Sequence, residues 1–574
     1  MKLVVIDPDQ VAPVNTRASH GTMPTLLVVA GIVFAALTEA VAGTALSTAR
    51  LDMIGDTHAT LDQFALLEVG YTAAKLTAFM LTPWLMGRLS SQTCLRAATG
   101  IMTLVCGAAA LTYNFDTLVV LRLLQGLAGG ALLVSGQTLL FQTFSRSLQP
   151  VVQCFFAFGA VVAPATLTPY MQGWLLDSLS WTWIFLSIVP IGLSALALLA
   201  STDLGADGQT RAVRLDRLGA VLFTIAAFCL TFVLNQGSRW DWLEEPMIVH
   251  LLLVGVVSLL LFIAFQLCAT GSDTILDLAI FRNSGFAFGF IASFAAGFAL
   301  FGSAYLIPSF AISVLGMTPT EAGMLLLPST LMFISALLLT TFLVRRGKLP
   351  PIITVPFGIL GFVVAMWMLS GSNGESGFSD LMPAILLRGL ALGFLFLSIT
   401  LITLLDLEGP QIAYGVGLFN VGRQTGGLFG VAVMQTLLDH QTALNKGVIA
   451  TYIVPGRMAV TERLALLTNS LTSHGMELSV AAKAAVQILT REVTAQASII
   501  AFDTAFLTLS LFFIAAAPVL ITLKIIIGRA LGSGSETPNH AGRGIGIGAQ
   551  AYADDQLGDV DVSEIVIRPT ASPH

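Results

Sequence analysis

Long apolar stretches separated by short polar segments dominate this chain. Fourteen of the stretches are about as long as the 20 residues that an α-helix needs to cross a bilayer. Their predicted bounds are 24–46, 64–86, 97–113, 117–141, 150–174, 182–201, 218–236, 247–268, 285–313, 321–343, 350–370, 381–403, 413–438 and 499–527. The pattern therefore predicts an all-α polytopic membrane protein with fourteen transmembrane helices.

Polar breaks divide the predicted spans into groups of six, two and six. The predicted domains are an N-terminal tail at 1–23, a six-helix bundle at 24–201, a central loop with two extra helices at 202–284, a second six-helix bundle at 285–527 and a disordered tail at 528–574. Within the second bundle, 439–498 is predicted to be a long external loop that holds an amphipathic helix, because apolar residues recur there at helical spacing.

Basic residues predict the orientation. With both termini inside, the cytoplasmic segments hold sixteen Lys and Arg residues, whereas the short external loops hold Arg50 and Arg239. Cytoplasmic loops of membrane proteins carry such an excess of positive charge. We therefore expect a multi-pass protein of the inner (plasma) membrane with both termini in the cytoplasm.

Composition supports the membrane assignment and gives no sign of an enzyme. Hydrophobic residues make up 55% of the 574 positions and charged residues 10%, whereas soluble domains have about 25% charged residues. The five cysteines form no CxxC pair, and neither an HExxH nor a GxSxG motif occurs. We expect membrane lipid and a small-molecule substrate as partners, and neither a metal, an organic cofactor nor a nucleic acid.

Charged residues inside the predicted spans are the candidates for function. A charge at the bilayer centre costs roughly 2.5–3.5 kcal/mol on insertion scales, so that each one calls for an explanation. Those well inside spans are Glu39, Lys75, Arg122, Arg388 and Arg423. Glu68 and Asp503 lie near the outer ends of their spans.

Glu39 in the first span is the candidate proton carrier, because a desolvated carboxylate can take up and release a proton. Arg122 in the fourth span could neutralise Glu39, and Gln125, one turn away, could hold that arginine or bind substrate. Lys75 shares a helical face with Glu68 and Tyr71. It could pair, most simply with Glu39 or else with Glu68, lose its proton, or bind an anionic group of the substrate, and the sequence leaves these roles open.

Several of these residues belong to longer motifs. The fourth span reads Leu121-Arg122-Leu-Leu-Gln125-Gly126-Leu-Ala-Gly129-Gly130, the fifth carries Pro164, Pro169 and Gly173, and the thirteenth carries Arg423-Gln424 with Gly426-Gly427. These runs resemble signatures of the major facilitator superfamily, in particular its fourteen-span drug:proton antiporter branch. The resemblance extends over about 25–530.

This resemblance implies two six-helix bundles related by a pseudo-two-fold axis, with a substrate cavity between them and alternating access by rocking of one bundle against the other. It implies a multidrug-type efflux antiporter for small amphipathic compounds, driven by the proton gradient. A periplasmic adaptor and an outer-membrane channel are candidate partners. The alternative is an anionic metabolite or a siderophore-like or lipid-like cargo, moved by export or symport, and Lys75 favours it. A sensor or channel on the same scaffold is a third alternative.

The chain also departs from the family pattern. Before Arg88, in the loop after the second span, Gly87 replaces the usual Asp, so we expect the cytoplasmic latch between the bundles to be weaker or differently built. In the fifth span, Thr168 and Gln172 stand where glycines are usual, and Lys75 stands where the branch has a neutral or acidic residue. We therefore expect a divergent member of the branch.

Overall fold

The computed structural model describes residues 22–202, 215–268, 275–276, 278–346, 349–454 and 456–532. These residues form sixteen α-helices and no β-strand. Most of both predicted tails, and the middle of the first polar break, lie outside the described residues.

The helices follow the predicted spans. The first bundle comprises α1 (Thr22–Thr57), α2 (Leu61–Arg88), α3 (Ser91–Ala109), α4 (Phe115–Thr143), α5 (Gln149–Ala157), a π-helical segment (Phe158–Leu167), α6 (Thr168–Ser178) and α7 (Thr182–Ala200). The extra pair is α8 (Arg217–Gln236) and α9 (Pro246–Cys268). The second bundle comprises α10 (Ser284–Ser313), α11 (Pro319–Arg345), α12 (Thr354–Leu369), α13 (Phe378–Leu404), α14 (Gln411–Tyr452), α15 (Met458–Ser473) and α16 (Leu478–Gly532).

Twelve helices of the described chain are long and apolar enough to cross a membrane, counting α5, the π-helical segment and α6 as one. The predicted third and thirteenth spans lie in α3 and α14, which are not among the twelve. Polar residues at the start of α3, and glycine and polar residues along α14, dilute the apolar character of these two helices. The count of fourteen is compatible with this helix set and stays a prediction.

The segment predicted as a long external loop, 439–498, is largely helical. The helix α14 continues to Tyr452, α15 follows, and α16 begins at Leu478. A helix of 42 residues such as α14 is about 63 Å long, twice the thickness of a bilayer core. The part of α14 after the predicted span therefore extends beyond the membrane, because many residues there are polar yet still form a helix.

Glycines bring α2 and α4 into direct backbone contact. A Cβ atom added at Gly126 would lie 2.2 Å from the carbonyl oxygen of Tyr71, and one added at Gly130 would lie 2.6 Å from that of Lys75. Small residues at a spacing of four permit such close packing of membrane helices. Tyr71 and Lys75 are therefore held at fixed positions against α4.

The second bundle repeats this contact between α11 and α13. A Cβ atom added at Gly389 would lie 2.4 Å from the carbonyl oxygen of Ser329, and one added at Gly393 would lie 2.6 Å from that of Phe333. The spacing of four residues is the same on both helices of each pair. The match supports two related bundles, in which Ser329 and Phe333 take the positions of Tyr71 and Lys75.

The extra helices pack beside the first bundle. Apolar side chains of α8 and α9 surround Val69 of α2. Asp216 caps α8 by accepting a hydrogen bond from the Gly219 amide at 2.8 Å, and it accepts a second from Gln266 of α9 at 2.7 Å. Large apolar side chains such as Leu253 and Leu260 are about 60% exposed on α9. This helix therefore faces lipid.

Candidate functional site

Glu39 on α1 lies at the centre of a closed polar cluster. Its Oε1 accepts hydrogen bonds from Nζ of Lys75 and, at 3.0 Å, from the hydroxyl of Tyr71. Tyr71 and Lys75 are one turn apart on α2 and therefore face the same side. The exposed fractions of Glu39, Tyr71 and Lys75 are only 3%, 3% and 8%. We call these three residues, with Arg122 and Gln125, the carboxylate cluster.

Small residues make room for the carboxylate. A Cβ atom added at Gly43 of α1 would lie 3.1 Å from Oε1 of Glu39, and one added at Gly129 of α4 would lie 3.1 Å from its Cγ. Larger residues at these positions would push α1, α2 and α4 apart. The glycines of the fourth-span motif therefore help to enclose the acid.

Arg122 is held beside this pair and is not bonded to Glu39. Its Nη1 donates to the carbonyl oxygen of Ala42 at 3.0 Å and to Oε1 of Gln125 at 2.8 Å. The guanidinium lies 4.1 Å from the centre of the Tyr71 ring. Tyr71 thus contacts Arg122 with its ring and Glu39 with its hydroxyl. The direct Glu39–Arg122 pair considered from the sequence is not formed, and Gln125 holds the arginine.

The carboxylate cluster contains one acidic residue, Glu39, and two basic residues, Lys75 and Arg122. Among the described residues, Lys75–Glu39 is the ion pair with both partners buried; the other ion pairs are between more exposed side chains. Protonation of Glu39 would remove the charge that Lys75 is paired with, in surroundings that exclude water. The arrangement can therefore convert proton uptake into the loss of a contact between α1 and α2.

Three other candidates, Glu68, Asp503 and Arg388, make no hydrogen bond to the carboxylate cluster within the described chain, although the charge of Glu68 acts on Arg122. Glu68 is partly buried and forms no ion pair there. Asp503 is also partly buried, and its Oδ1 lacks a hydrogen-bond partner among described groups. Arg388 is fully buried; its Nε donates to Oγ of Ser303 at 2.8 Å, and its Nη1 has no partner in the described part.

Arg423 on α14 lies at the interface between the bundles. Its Nη2 donates to Oδ1 of Asn420 at 2.6 Å, and Nδ2 of Asn420 donates to Oε1 of Gln137 on α4 at 3.2 Å. Gln137 in turn donates to Gln153 at 3.2 Å, and Gln153 donates to Gln149 at 3.4 Å. We call these five residues the amide chain. It crosses from the second bundle to the first through the Asn420–Gln137 hydrogen bond.

The four amides of this chain are not among the residues predicted from the sequence. Gln149, Gln153, Gln137 and Asn420 are at most 3% exposed. Apart from Gln149, which lies just before the fifth span, they fall inside predicted spans. Amide side chains at membrane depth commonly hydrogen bond between helices. The position of these amides inside apolar spans is visible in the sequence, although their hydrogen-bond partners cannot be predicted from it.

The fifth predicted span is interrupted where its motif prolines lie. Pro164 lies inside the π-helical segment, and Pro169 follows at the start of α6. Proline has no N–H to donate, so a continuous α-helix is disfavoured there. Further along α6, a Cβ atom added at Gly173 would lie 3.0 Å from the backbone of Pro319 on α11. Gly173 is therefore a point of contact between the two bundles.

The two polar residues that replace family glycines bind α1. The hydroxyls of Thr168 and Thr44 lie 3.0 Å apart, and Nε2 of Gln172 donates to the carbonyl oxygen of Val41 at 2.8 Å. Val41 is two residues from Glu39. These substitutions connect α6, which contacts the second bundle, to the helix that carries the carboxylate.

The bundles also contact each other at the end predicted to face the cytoplasm. Nη2 of Arg146 lies 3.0 Å from Oε1 of Glu408, and a Cβ atom added at Gly417 would lie 2.4 Å from the carbonyl oxygen of Phe79. The Arg88 guanidinium lies 4.7 Å from the centre of the Trp84 ring. Contacts between the bundles at this end thus include an ion pair outside the family's latch motif.

Comparison with known proteins places the chain in a family. It is 26% identical over 439 residues to the multidrug export protein EmrB of Haemophilus influenzae, covering 73% of this chain and 84% of that protein. It is 27% identical over 427 residues to the colistin resistance protein EmrB of Acinetobacter baumannii, covering 71% and 80%. It is 27% identical over 474 residues to the fatty acid resistance protein FarB of Neisseria gonorrhoeae, covering 82% of this chain and 90% of that protein.

The family model of the Major Facilitator Superfamily matches residues 28–431, more than half of the sequence. With this match, and with two helix bundles that share their packing, the chain belongs to the major facilitator superfamily.

Proposed function

We propose that this protein exports small amphipathic compounds by proton-coupled alternating access, with Glu39 as the proton-binding group. The observation that carries the proposal is the buried Glu39–Lys75 pair, enclosed by glycines of α1 and α4. The names of the relatives, which concern multidrug export, colistin resistance and fatty acid resistance, support an amphipathic cargo.

Coupling begins with the two protonation states of Glu39. The ionised carboxylate accepts from Lys75 and Tyr71 and holds α1 against α2. The protonated carboxyl leaves Lys75 as a buried cation without an acid, and breaking a buried pair in this way typically costs about 3–5 kcal/mol. The two states therefore favour different packing of α1 against α2.

Contacts of α1 with α6 connect a change in the packing of α1 against α2 to the second bundle. Thr44 and Val41 of α1 are hydrogen bonded to Thr168 and Gln172 of α6. A few residues on, Gly173 of α6 packs on the backbone of α11. A shift of α1 relative to α2 would act on this contact, which is the kind of rearrangement that alternating access between two bundles requires.

A second candidate is transport of an anionic cargo, by export or symport. The observation that favours it is the excess of basic side chains at membrane depth: Lys75, Arg122, Arg388 and Arg423 against Glu39. Both candidates use the same fold and the same carboxylate.

Reconstitution tests the proposal. Purified protein in liposomes should transport ethidium or dodecanoate when a pH gradient is imposed, and an ionophore that exchanges protons for potassium should abolish the transport. Empty liposomes give the leak of each probe. Transport that persists after the gradient has collapsed, or movement of neither probe above the leak, would contradict proton-coupled efflux of amphipathic compounds.

We also propose that both termini are cytoplasmic and that the outer parts of α14 and α16, with α15, form a docking surface for a periplasmic adaptor that leads to an outer-membrane channel. In support, α15 has no buried residue, and it is joined to α16 by an Arg463–Glu492 ion pair of 2.6 Å. Deleting 458–473 should lower drug resistance in cells and leave transport in liposomes unchanged. Equal loss in both assays would argue against a docking role.

A further inference from the structure

We propose that Arg423 binds the acidic head group of the transported molecule at the interface between the bundles, and that the amide chain holds Arg423 in position. The ligand class is an amphiphile with a carboxylate or a similar small anionic group. This inference rests on the proposed transport of amphipathic compounds and specifies which of them the site prefers.

The first support is the imbalance of charge at membrane depth. Four basic residues lie well inside the predicted spans, but in the described chain only Lys75 is paired with a carboxylate. An ionisable group inside a membrane protein is expected to pair or to take part in transport. Arg122, Arg388 and Arg423 therefore form no direct ion pair with an acidic side chain of the described residues.

Burial separates Arg423 from the other two. Arg122 and Arg388 are 1% and 0% exposed and donate to groups of their own bundles. Arg423 is only partly buried, and its hydrogen-bond partner Asn420 contacts the opposite bundle. Of the three arginines, Arg423 is thus the one that combines partial exposure with a hydrogen-bond partner in contact with the opposite bundle.

The donor geometry of Arg423 suits a carboxylate. A guanidinium has five N–H donors in a planar fork, which binds a carboxylate through two parallel hydrogen bonds. In the described chain, Nη2 donates to Asn420, and the Phe419 ring centre lies 5.9 Å from the guanidinium carbon. The remaining N–H groups of the fork are therefore available to a ligand.

Two features hold the arginine in place. Nδ2 of Asn420 donates to Gln137 at 3.2 Å and to the carbonyl oxygen of Val416 at 2.9 Å, so that Oδ1 points to the guanidinium. A Cβ atom added at Gly297 of α10 would lie 2.0 Å from the carbonyl oxygen of Arg423. The backbone is thus fixed against α10, and little freedom has to be lost when a head group binds.

Paired probes test this site. Binding of radiolabelled dodecanoate and of dodecyltrimethylammonium is measured on the full-length protein in nanodiscs by scintillation proximity. We expect Arg423→Gln to weaken dodecanoate binding about 10- to 100-fold, as loss of hydrogen bonds to a charged group does. Binding of dodecyltrimethylammonium should change less than twofold. Arg423→Lys, which keeps the charge and loses the fork, should give an intermediate dodecanoate affinity.

Two further variants control the experiment. Lys446→Gln removes an exposed cation of the same helix, which lines an outer cavity of about 620 Å³, and should leave both affinities unchanged. Asn420→Ala keeps Arg423 but removes its hydrogen-bond partner, and should weaken dodecanoate binding alone. If Arg423→Gln does not fold, Asn420→Ala and Arg423→Lys carry the test.

The outcomes separate the two proposals. No binding of dodecanoate to the wild-type protein, unchanged binding to the Arg423 variants, or equal weakening of both probes would overturn the head-group site. In each of these cases, transport of ethidium in liposomes would still support the proposed function. Failure of all transport in liposomes would contradict the proposed function itself.

Discussion

At the scale of single residues, the structure selects one partner for Lys75 from those that the sequence left open. The sequence identified Glu39, Lys75, Arg122 and Glu68 as candidates because charge is rare at membrane depth. It could not pair them, since pairing depends on how each helix is rotated about its axis. In the structure Lys75 meets Glu39, and Glu68 forms no ion pair in the described residues.

A double-mutant cycle measures this pair. Glu39→Gln and Lys75→Gln should each destabilise the protein by about 3–5 kcal/mol, because each leaves one buried charge unpaired. The double variant should recover most of that loss. Thermal unfolding in detergent gives the stabilities, and Glu68→Gln is the control for loss of a nearby acid. Strictly additive effects of the two substitutions would show that the side chains do not interact.

At the scale of helices, the predicted spans located the elements but not their ends or irregularities. The predicted span 413–438 stopped where the apolar residues stop, whereas α14 continues to Tyr452 because polar residues also form helices. Pro164 and Pro169 in the fifth span are residues that disfavour a continuous α-helix. Whether the disturbance is a kink or a π-helical segment depends on neighbouring helices and is not encoded locally.

Glycine substitutions test the close approach of helices. Gly126→Ala should destabilise the protein by about 1–3 kcal/mol, because its Cβ atom would lie 2.2 Å from the carbonyl oxygen of Tyr71 and must separate α4 from α2. Gly100→Ala on α3 is the control, since nothing lies within 4 Å of its added Cβ atom. Thermal unfolding is the measurement. Equal stability of the two variants would refute the packing that holds Tyr71 in place.

Gly389 is the counterpart of Gly126 in the second bundle, and its substitution distinguishes the effect of helix packing from an effect on proton coupling. Gly389→Ala should be destabilising for the same reason, since its Cβ atom would lie 2.4 Å from the carbonyl oxygen of Ser329. It should leave proton coupling intact in the folded fraction, because Ser329 and Phe333 replace Tyr71 and Lys75 there. Gly126→Ala should weaken coupling. Equal effects of both variants on coupling would count against a single proton site in the first bundle.

At the scale of the whole molecule, the all-α membrane class and the family could be predicted from the sequence because they depend on hydrophobic length and on short motifs. The six-two-six plan stays a prediction. The repeat of glycine-to-carbonyl contacts was not legible, since it requires knowing which residues face each other. The same holds for the amide chain, whose members come from α4, α5 and α14. The contacts between the two bundles are therefore the part of the site that cannot be predicted from sequence patterns.

Orientation in the membrane is tested with single cysteines. Cys268 is the exposed native cysteine among the five and is first replaced by serine. In that background, a cysteine placed within 445–455 should react with an impermeant maleimide on intact cells, and one within 205–212 should react only after permeabilisation. The expectation follows from the excess of basic residues in the segments assigned to the cytoplasm. The reverse labelling pattern would invert the topology.

Proton release by the purified protein tests the central role of Glu39 most directly. In weakly buffered detergent with a pH-sensitive dye, addition of a transported amphiphile should displace protons from the wild-type protein. Glu39→Gln, and the double variant Glu39→Gln/Lys75→Gln in which neither member of the pair is left as a lone charge, should show no such signal while unfolding as cooperatively as the wild-type protein. Undiminished proton movement in the folded double variant would contradict the account.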